Sequence, residues 1–138
     1  MPDDYKYLLP RPDAETAGYW EGTKAHELRI QQCSSCGKLQ HPPQKVCSKC
    51  QSESSTWKTV SGRGKVYTWI QVVQPVLPQW RDAGEYNIVQ VQIDEDPSVR
   101  ITGNVVDVAE EQLKVGLPVQ VVFDDVAEDV SIPRWKPA

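Results

Sequence analysis

Long apolar runs are missing from these 138 residues. No stretch approaches the roughly 18 apolar residues that a membrane-spanning helix needs, which excludes that class. A glycine-rich phosphate loop is also missing, and no Ser-His-Asp arrangement or paired-carboxylate motif stands out. Histidine is scarce: only His26 and His41 are available as near-neutral bases. The chain starts Met1-Pro2-Asp3-Asp4, acidic and polar, without the basic and apolar parts of a secretory signal. Cytoplasmic location is therefore expected. Hydrophobic residues make up 39% and charged residues 25%, which places the chain among globular rather than disordered proteins.

The net charge of −4 is unevenly spread. Residues 24–65 carry eight basic side chains against Glu27 and Glu53, a balance of +6. Residues 81–138 carry five basic side chains against twelve acids, a balance of −7. A basic half suits an anionic ligand such as a nucleic acid, a nucleotide or a coenzyme phosphate. It equally suits a zinc module with a lysine-rich surface and no ligand.

The pattern along the chain divides into three. Residues 1–12 hold Pro2, Pro10 and Pro12 and read as extended. Asp13 is a good N-cap for a helix over 14–26 that carries Tyr19 and Trp20. Residues 29–56 contain all four cysteines and too little apolar material for an independent core, so they need a metal or disulfides. From Thr56 onward the texture is that of strands: one near Trp57, then 66–73, 89–94, 99–105 and 119–123. Gly103 inside the fourth run suggests a bulge or bend. Asp107 caps a short predicted helix that Gly116 stops. The residues after Asp124 read as a tail. Five strands with one helix before the last form the grammar of an OB-fold, a small partly open barrel. The expected fold is mainly β: an N-terminal extension and helix (1–28), a zinc ribbon (29–56), and a five-stranded OB-fold with its tail (57–138).

The cysteines carry the sharpest chemical signal. Cys33-x-x-Cys36 is followed after ten residues by Cys47-x-x-Cys50. Each pair can wrap a turn so that two thiolates and nearby backbone N–H groups face one ion, and two such turns complete a tetrahedron. Gly37 fits the sharp turn of the first knuckle. Thiolates select zinc or iron. Four protein ligands leave no open position for water, so the site reads as structural. Two disulfides would be reduced in a cytoplasm, and a redox Cys-x-x-Cys would need a βαβ setting that is absent here. With all four thiols engaged, no free cysteine remains as a nucleophile, and no catalytic residue is assigned.

The ordered elements Cys33-Ser-Ser-Cys36-Gly37, His41-Pro42-Pro43, Cys47-Ser-Lys-Cys50, Trp57 and Gly62-Arg63-Gly64-Lys65-Val66-Tyr67 resemble the rubredoxin-like zinc ribbon and OB-fold family associated with acyl-CoA enzymes. Tyr19-Trp20-Glu21 is similar to that family's Phe-Trp-Glu start, and Gly103-Asn104-Val105-Val106 to its Gly-Asn-Val-Val element. Gly116 to Phe123 is similar to its closing strand. His41 and Gln44 depart from the aromatic and Arg that flank the Pro-Pro in many relatives.

The resemblance implies a non-catalytic subunit of a thiolase or thiolase-like aldolase. Such a subunit carries structural Zn2+, completes the channel for a CoA thioester, and stabilises a thiolase-fold catalytic partner in a heterotetramer. Degradation of an aromatic or steroid acyl-CoA is the narrower expectation. Trp80 and Arg81, in the loop from Pro75 to Gly84, suit a partner interface or channel mouth. Arg63 and Lys65 suit the phosphates of CoA.

Two other functions fit parts of the pattern. A single-stranded nucleic-acid binder would use Tyr67 and Trp69, two apart on one strand face, as a stacking platform, but the acidic pI near 5.1 opposes it. A rubredoxin-type iron carrier would use the same four sulfurs.

Overall fold

The computed structural model describes residues 7–138. The polar start and part of the extended 1–12 segment lie outside the described residues. The predicted helix is shorter than expected, α1 Ala17–Lys24. Asp13 works one turn earlier: its Oδ1 accepts hydrogen bonds from the backbone N–H groups of Glu15 (3.0 Å) and Thr16 (2.9 Å). Its backbone oxygen accepts from the Ala17 N–H at 2.8 Å. The chain therefore turns before it winds.

Strands β1 (Arg29–Cys33), β2 (Leu39–Gln40) and β3 (Ser55–Thr59) form an antiparallel sheet ordered β2-β1-β3. The run near Trp57 is thus a ribbon strand, with Trp57 paired to Gln31, and β3 crosses the boundary expected at 56/57. Its membership depends on a non-local partner, β1, that local composition does not identify.

The barrel sheet contains β4 (Arg63–Val72), β5 (Tyr86–Ile93), β6 (Asp96–Gly103), β7 (Pro118–Ala127) and β8 (Val130–Pro137), in the order β6-β5-β4-β7-β8. The barrel has the expected five strands, with one exchanged: β8, predicted as a tail, replaces the strand near Trp57. β8 hairpins onto β7 with register Val121↔Trp135 and Asp125↔Ser131. The sheet curls until Val105, just past β6, bridges Trp135 on β8 in parallel. The N–H of Val106 donates to the Trp135 carbonyl at 2.7 Å, and the N–H of Trp135 to the Asn104 carbonyl at 2.9 Å.

The predicted helix after Asp107 is only a 3-10 turn, Glu110–Gln112. Asp107 itself is left-handed, at φ 55°, and cannot cap it as expected. Gly103 marks no register shift; the breaks lie at Val66/Thr68, Gln92/Ile93 and Asp125/Ala127. Gly103 is instead where the Trp135 indole packs, since a Cβ there would stand 3.3 Å from Nε1.

One apolar core runs through both sheets. Val66, Val89, Val91, Ile101, Val119 and Trp135 fill the barrel, and Tyr19, Leu28, Ile30 and Leu39 extend the core under the helix and ribbon. Burying a side chain of this size contributes about 1.5–3 kcal/mol. The helix contacts β8, β1 and β3, so it wedges ribbon against barrel.

Candidate metal centre

The four thiols converge. Cys33 ends β1 and Cys36 lies in the turn after it, and Cys47 and Cys50 come from the second knuckle before β3. The four sulfurs all lie within 4.8 Å of one another. Cys33 Sγ is 3.5 Å from Cys50 Sγ, and Cys36 Sγ is 3.7 Å from Cys47 Sγ. A tetrahedron with Zn–S bonds of about 2.3 Å has sulfur–sulfur edges of about 3.8 Å, so the spacing fits one four-coordinate ion. Gly37 turns the first knuckle at φ +77°, the conformation glycine adopts without a Cβ penalty.

Backbone amides prepare the sulfurs for a cation. The N–H groups of Cys36 and Ser35 hold the Cys33 thiol below its ordinary range. Those of Cys50 and Lys49 bring Cys47 down to about 6, and the Lys49 N–H donates to Cys47 Sγ at 3.4 Å. The Ser52 N–H pulls Cys50 down as well, but the neighbouring sulfurs of Cys33, Cys36 and Cys47 outweigh it and push that thiol up to about 12. Amides favour thiolates, while crowded sulfurs resist the last deprotonation. A soft dication resolves that conflict. All four ligand positions belong to protein sulfurs, the donor set of a structural ion.

A buried glutamine holds the two knuckles together. Gln31 on β1 donates from Nε2 to the Gln44 carbonyl (2.7 Å) and to Ser55 Oγ (3.2 Å). Its Oε1 accepts from Gln40 Nε2 and the Gln44 N–H, both at 2.9 Å. Gln40 in turn accepts from the Ser48 N–H at 3.1 Å. Sequence reasoning missed both glutamines, whose one visible signal is a polar residue at a strand position that has to be buried. His41 lies beside Tyr19, at 5.2 Å between ring centroids, and burial holds its pKa down to about 4.

The four residues expected to face CoA or a partner are not brought together. Arg63 and Lys65 are exposed near the start of β4. Trp80 and Arg81 follow its far end, in the 3-10 turn Pro78–Ala83. The intervening strand spans on the order of 20 Å. Trp80 stacks on Tyr7 at 4.3 Å and lies 5.6 Å from Tyr86. These rings wall a cleft of about 430 Å³ at the barrel seam that Asn87, Asn104 and Arg134 also line. Those polar groups are already engaged. Asn87 exchanges two 2.8 Å hydrogen bonds with the Val105 backbone. Asn104 Nδ2 donates to the Asn87 carbonyl at 2.6 Å, and Arg134 bridges Asn104 Oδ1 to Asp124. The Gly-Asn-Val-Val element is thus the clasp that closes the barrel.

Tyr67 and Trp69 do not share a face. The bulge between Val66 and Thr68 inserts Tyr67 as an unpaired residue and resets the alternation. Trp69 therefore pairs with buried Val89 and packs on the core, while Tyr67 stays exposed beneath Arg100 at 3.9 Å.

Comparison with known proteins agrees with this architecture. The profile of the ChsH2 rubredoxin-like zinc ribbon domain matches residues 20–55, and that of the ChsH2 C-terminal OB-fold domain matches residues 57–124. The chain is 31% identical to a probable enoyl-CoA hydratase alpha subunit from Thermomonospora curvata, over 96% of this chain and 41% of that one. It is also 31% identical to the 3-oxo-4,17-pregnadiene-20-carboxyl-CoA hydratase alpha subunit of Mycobacterium tuberculosis, over 99% of this chain and 43% of that one. It therefore spans less than half the length of these two relatives. A DUF35 domain-containing scaffold protein from Methanocaldococcus jannaschii is 32% identical, with 90% of this chain and 86% of that one covered. Among solved structures, a chain of the Ltp2-ChsH2(DUF35) aldolase superimposes with a TM-score of 0.82 at 27% identity, over 93% of this chain and 98% of that one. With its ribbon, its barrel and its four-cysteine centre, this chain belongs to the ChsH2/DUF35 family of zinc-ribbon and OB-fold proteins.

Proposed function

We propose that this chain is the non-catalytic, zinc-containing subunit of a heteromeric acyl-CoA enzyme, with a thiolase-fold partner that performs thiolytic or retro-aldol cleavage. The observation that carries this reading is the aldolase-complex chain, which is covered over 98% of its length. Hydratase alpha subunits among the relatives support a multisubunit setting. The chemistry of the cysteines supports a scaffold role: all four are committed to one cluster, which removes the thiol nucleophile that acyl transfer requires. The partner supplies that nucleophile and the acid/base groups. Zn2+ bound by Cys33, Cys36, Cys47 and Cys50 folds the ribbon, and the barrel presents the surface that the partner uses.

In this reading the aromatic-walled cleft beside Trp80 lies toward the acyl chain, and Arg63 and Lys65 lie toward the CoA phosphates. A heterotetramer follows from a dimeric catalytic core with two equivalent surfaces. A steroid or other polycyclic acyl-CoA is the narrower substrate class, supported by the pregnadiene-carboxyl-CoA relative. The nucleic-acid alternative loses its main support, because the bulge turns Trp69 into the core.

The test is affinity purification of the tagged chain from its native host, with protein and metal measured in the same fraction. The expected result is an acyl-CoA lyase or thiolase at near-equal stoichiometry and one zinc per small chain. Recovery of zinc with nucleic acid, or with no acyl-CoA enzyme, refutes the reading.

A further inference from the structure

β4 (Arg63–Val72) runs well beyond the stretch that β7 covers. β7 pairs only with Arg63, Gly64 and Lys65. Val66 is satisfied by the turn after the short 3-10 segment, donating to the Leu117 carbonyl and accepting from the Gly116 N–H. From Tyr67 to Val72, β5 alone holds β4, and no strand among the described residues covers the other edge. That edge leaves outward N–H and C=O groups without a strand partner, which is a template for another strand.

The side chains there are equally unusual. Residues 66–80 form a run of 15 without a single charge, in a chain where one residue in four is charged. Buried strands explain such runs elsewhere, but here nine of the 15 residues are exposed. Among the described residues nine large hydrophobic side chains are exposed, and five of them fall in 67–77. Ile70, Val73, Val76 and Leu77 are each more than half exposed, Val76 at 83%. Proteins protect an open edge with charges or prolines within it. Here the protection comes only at Pro75 and Pro78, beyond the strand.

Charge identifies the occupant. The outer face leading to the strip carries Lys65 and Arg100, which flank Gln92 in one cross-strand row, and Arg100 lies over Tyr67. A second copy of this chain would bring the same cations to the seam. A different protein with an uncharged extended segment and carboxylates beside it complements both features.

We infer that the catalytic partner docks on residues 67–77 by adding an extended, uncharged strand to the free edge of β4. Val73, Val76 and Leu77 fill apolar pockets of that partner, and Lys65 and Arg100 meet carboxylates at its rim. The partner's backbone supplies the missing ladder, and its side chains cover the strip, as in strand addition generally. This inference rests on the accessory-subunit reading above and specifies the surface involved.

The experiment compares three tagged chains in the native host: wild type, Ile70→Lys with Val76→Lys, and Val46→Lys as an exposed apolar control on the ribbon. The co-purified acyl-CoA enzyme is identified, purified and titrated against each chain. Amide exchange of residues 67–73 is then followed in wild type, free and in the complex. Expected are a loss of affinity of about tenfold or more in the double variant, native zinc content in both variants, undiminished binding by the Val46→Lys chain, and strongly slowed 67–73 amides in the wild-type complex. Undiminished binding by the double variant overturns the inference, and so do unchanged 67–73 amides in the complex. A concentration-dependent dimer of the chain alone, abolished by the double variant, overturns it in favour of a second copy. If the double variant loses zinc, exchange in the wild-type complex decides alone. Failure of the wild type to recover any acyl-CoA enzyme refutes the accessory-subunit reading itself, and the inference with it.

Discussion

His41 illustrates how one residue type changes meaning with its surroundings. In the sequence it is one of only two candidate near-neutral bases. Its ring lies against Tyr19 and is largely desolvated, so its pKa falls to about 4 from an unfolded value of 6.5. Between those two pH values the unfolded chain binds a proton that the folded chain refuses, so stability falls as pH drops through the window. The cost is on the order of 2–3 kcal/mol at the acid end. In His41→Gln, urea midpoints taken from pH 7 to pH 4.5 should show a correspondingly smaller loss than in wild type, at matched zinc occupancy. Parallel curves for the two proteins would mean that His41 is protonated in the fold. Gln31 makes the complementary point: a polar side chain is buried at low cost because four hydrogen bonds satisfy it.

At the scale of elements, β8 decides whether the barrel closes. Trp135 is fully buried, fills the space that Gly103 leaves open, and bridges to Val105 through its backbone. Its indole Nε1 has no hydrogen-bond partner among the described residues, so the side chain contributes through packing. Trp135→Ala should cost about 3–5 kcal/mol, a large share of the stability of a domain of this size. Trp135→Phe, which discards the unpartnered N–H and keeps an aromatic ring, should cost less than half as much. Denaturant titration of the zinc-loaded proteins distinguishes them. Equal losses would show that the indole nitrogen is engaged after all. The Val66/Thr68 bulge is the second decisive element, since one inserted residue places Trp69 in the core and leaves Tyr67 outside.

For the whole molecule, one core joins a ribbon poor in apolar residues to a barrel that supplies most of the buried ones. Zinc in such ribbons typically supplies about 10–16 kcal/mol of folding free energy in isolated peptides. Removing it with a strong chelator should release β1–β3 amides to fast exchange and leave β4–β5 amides the more protected. The melting temperature should also drop, because Leu28, Ile30 and Leu39 no longer pack on the shared core. Exchange measured before and after chelation, with metal content checked, tests this. Ribbon amides that stay protected without metal would show that the Gln31 network and core contacts suffice.

The metal centre was legible in the sequence because ligand spacing is a local property. Two Cys-x-x-Cys turns and a glycine prescribe where four sulfurs go, and the 3.5 and 3.7 Å separations followed. Period-two alternation likewise located β5 and β7, and the ordered motifs identified the family. Strand membership was not legible. The run at Trp57 joined β1, and the supposed tail became β8, because pairing is chosen between segments far apart in sequence. The face of Trp69 escaped too, since a bulge shifts the phase that alternation assumes. The separation of Arg63 and Lys65 from Trp80 and Arg81 depended on the length of β4, and its free edge on how little of it β7 covers. The sequence by itself determined which four cysteines converge and roughly where β4 to β7 run. Only the tertiary structure decided which strands meet and which edge remains open, because backbone hydrogen bonds are awarded by long-range packing and carry no local signature.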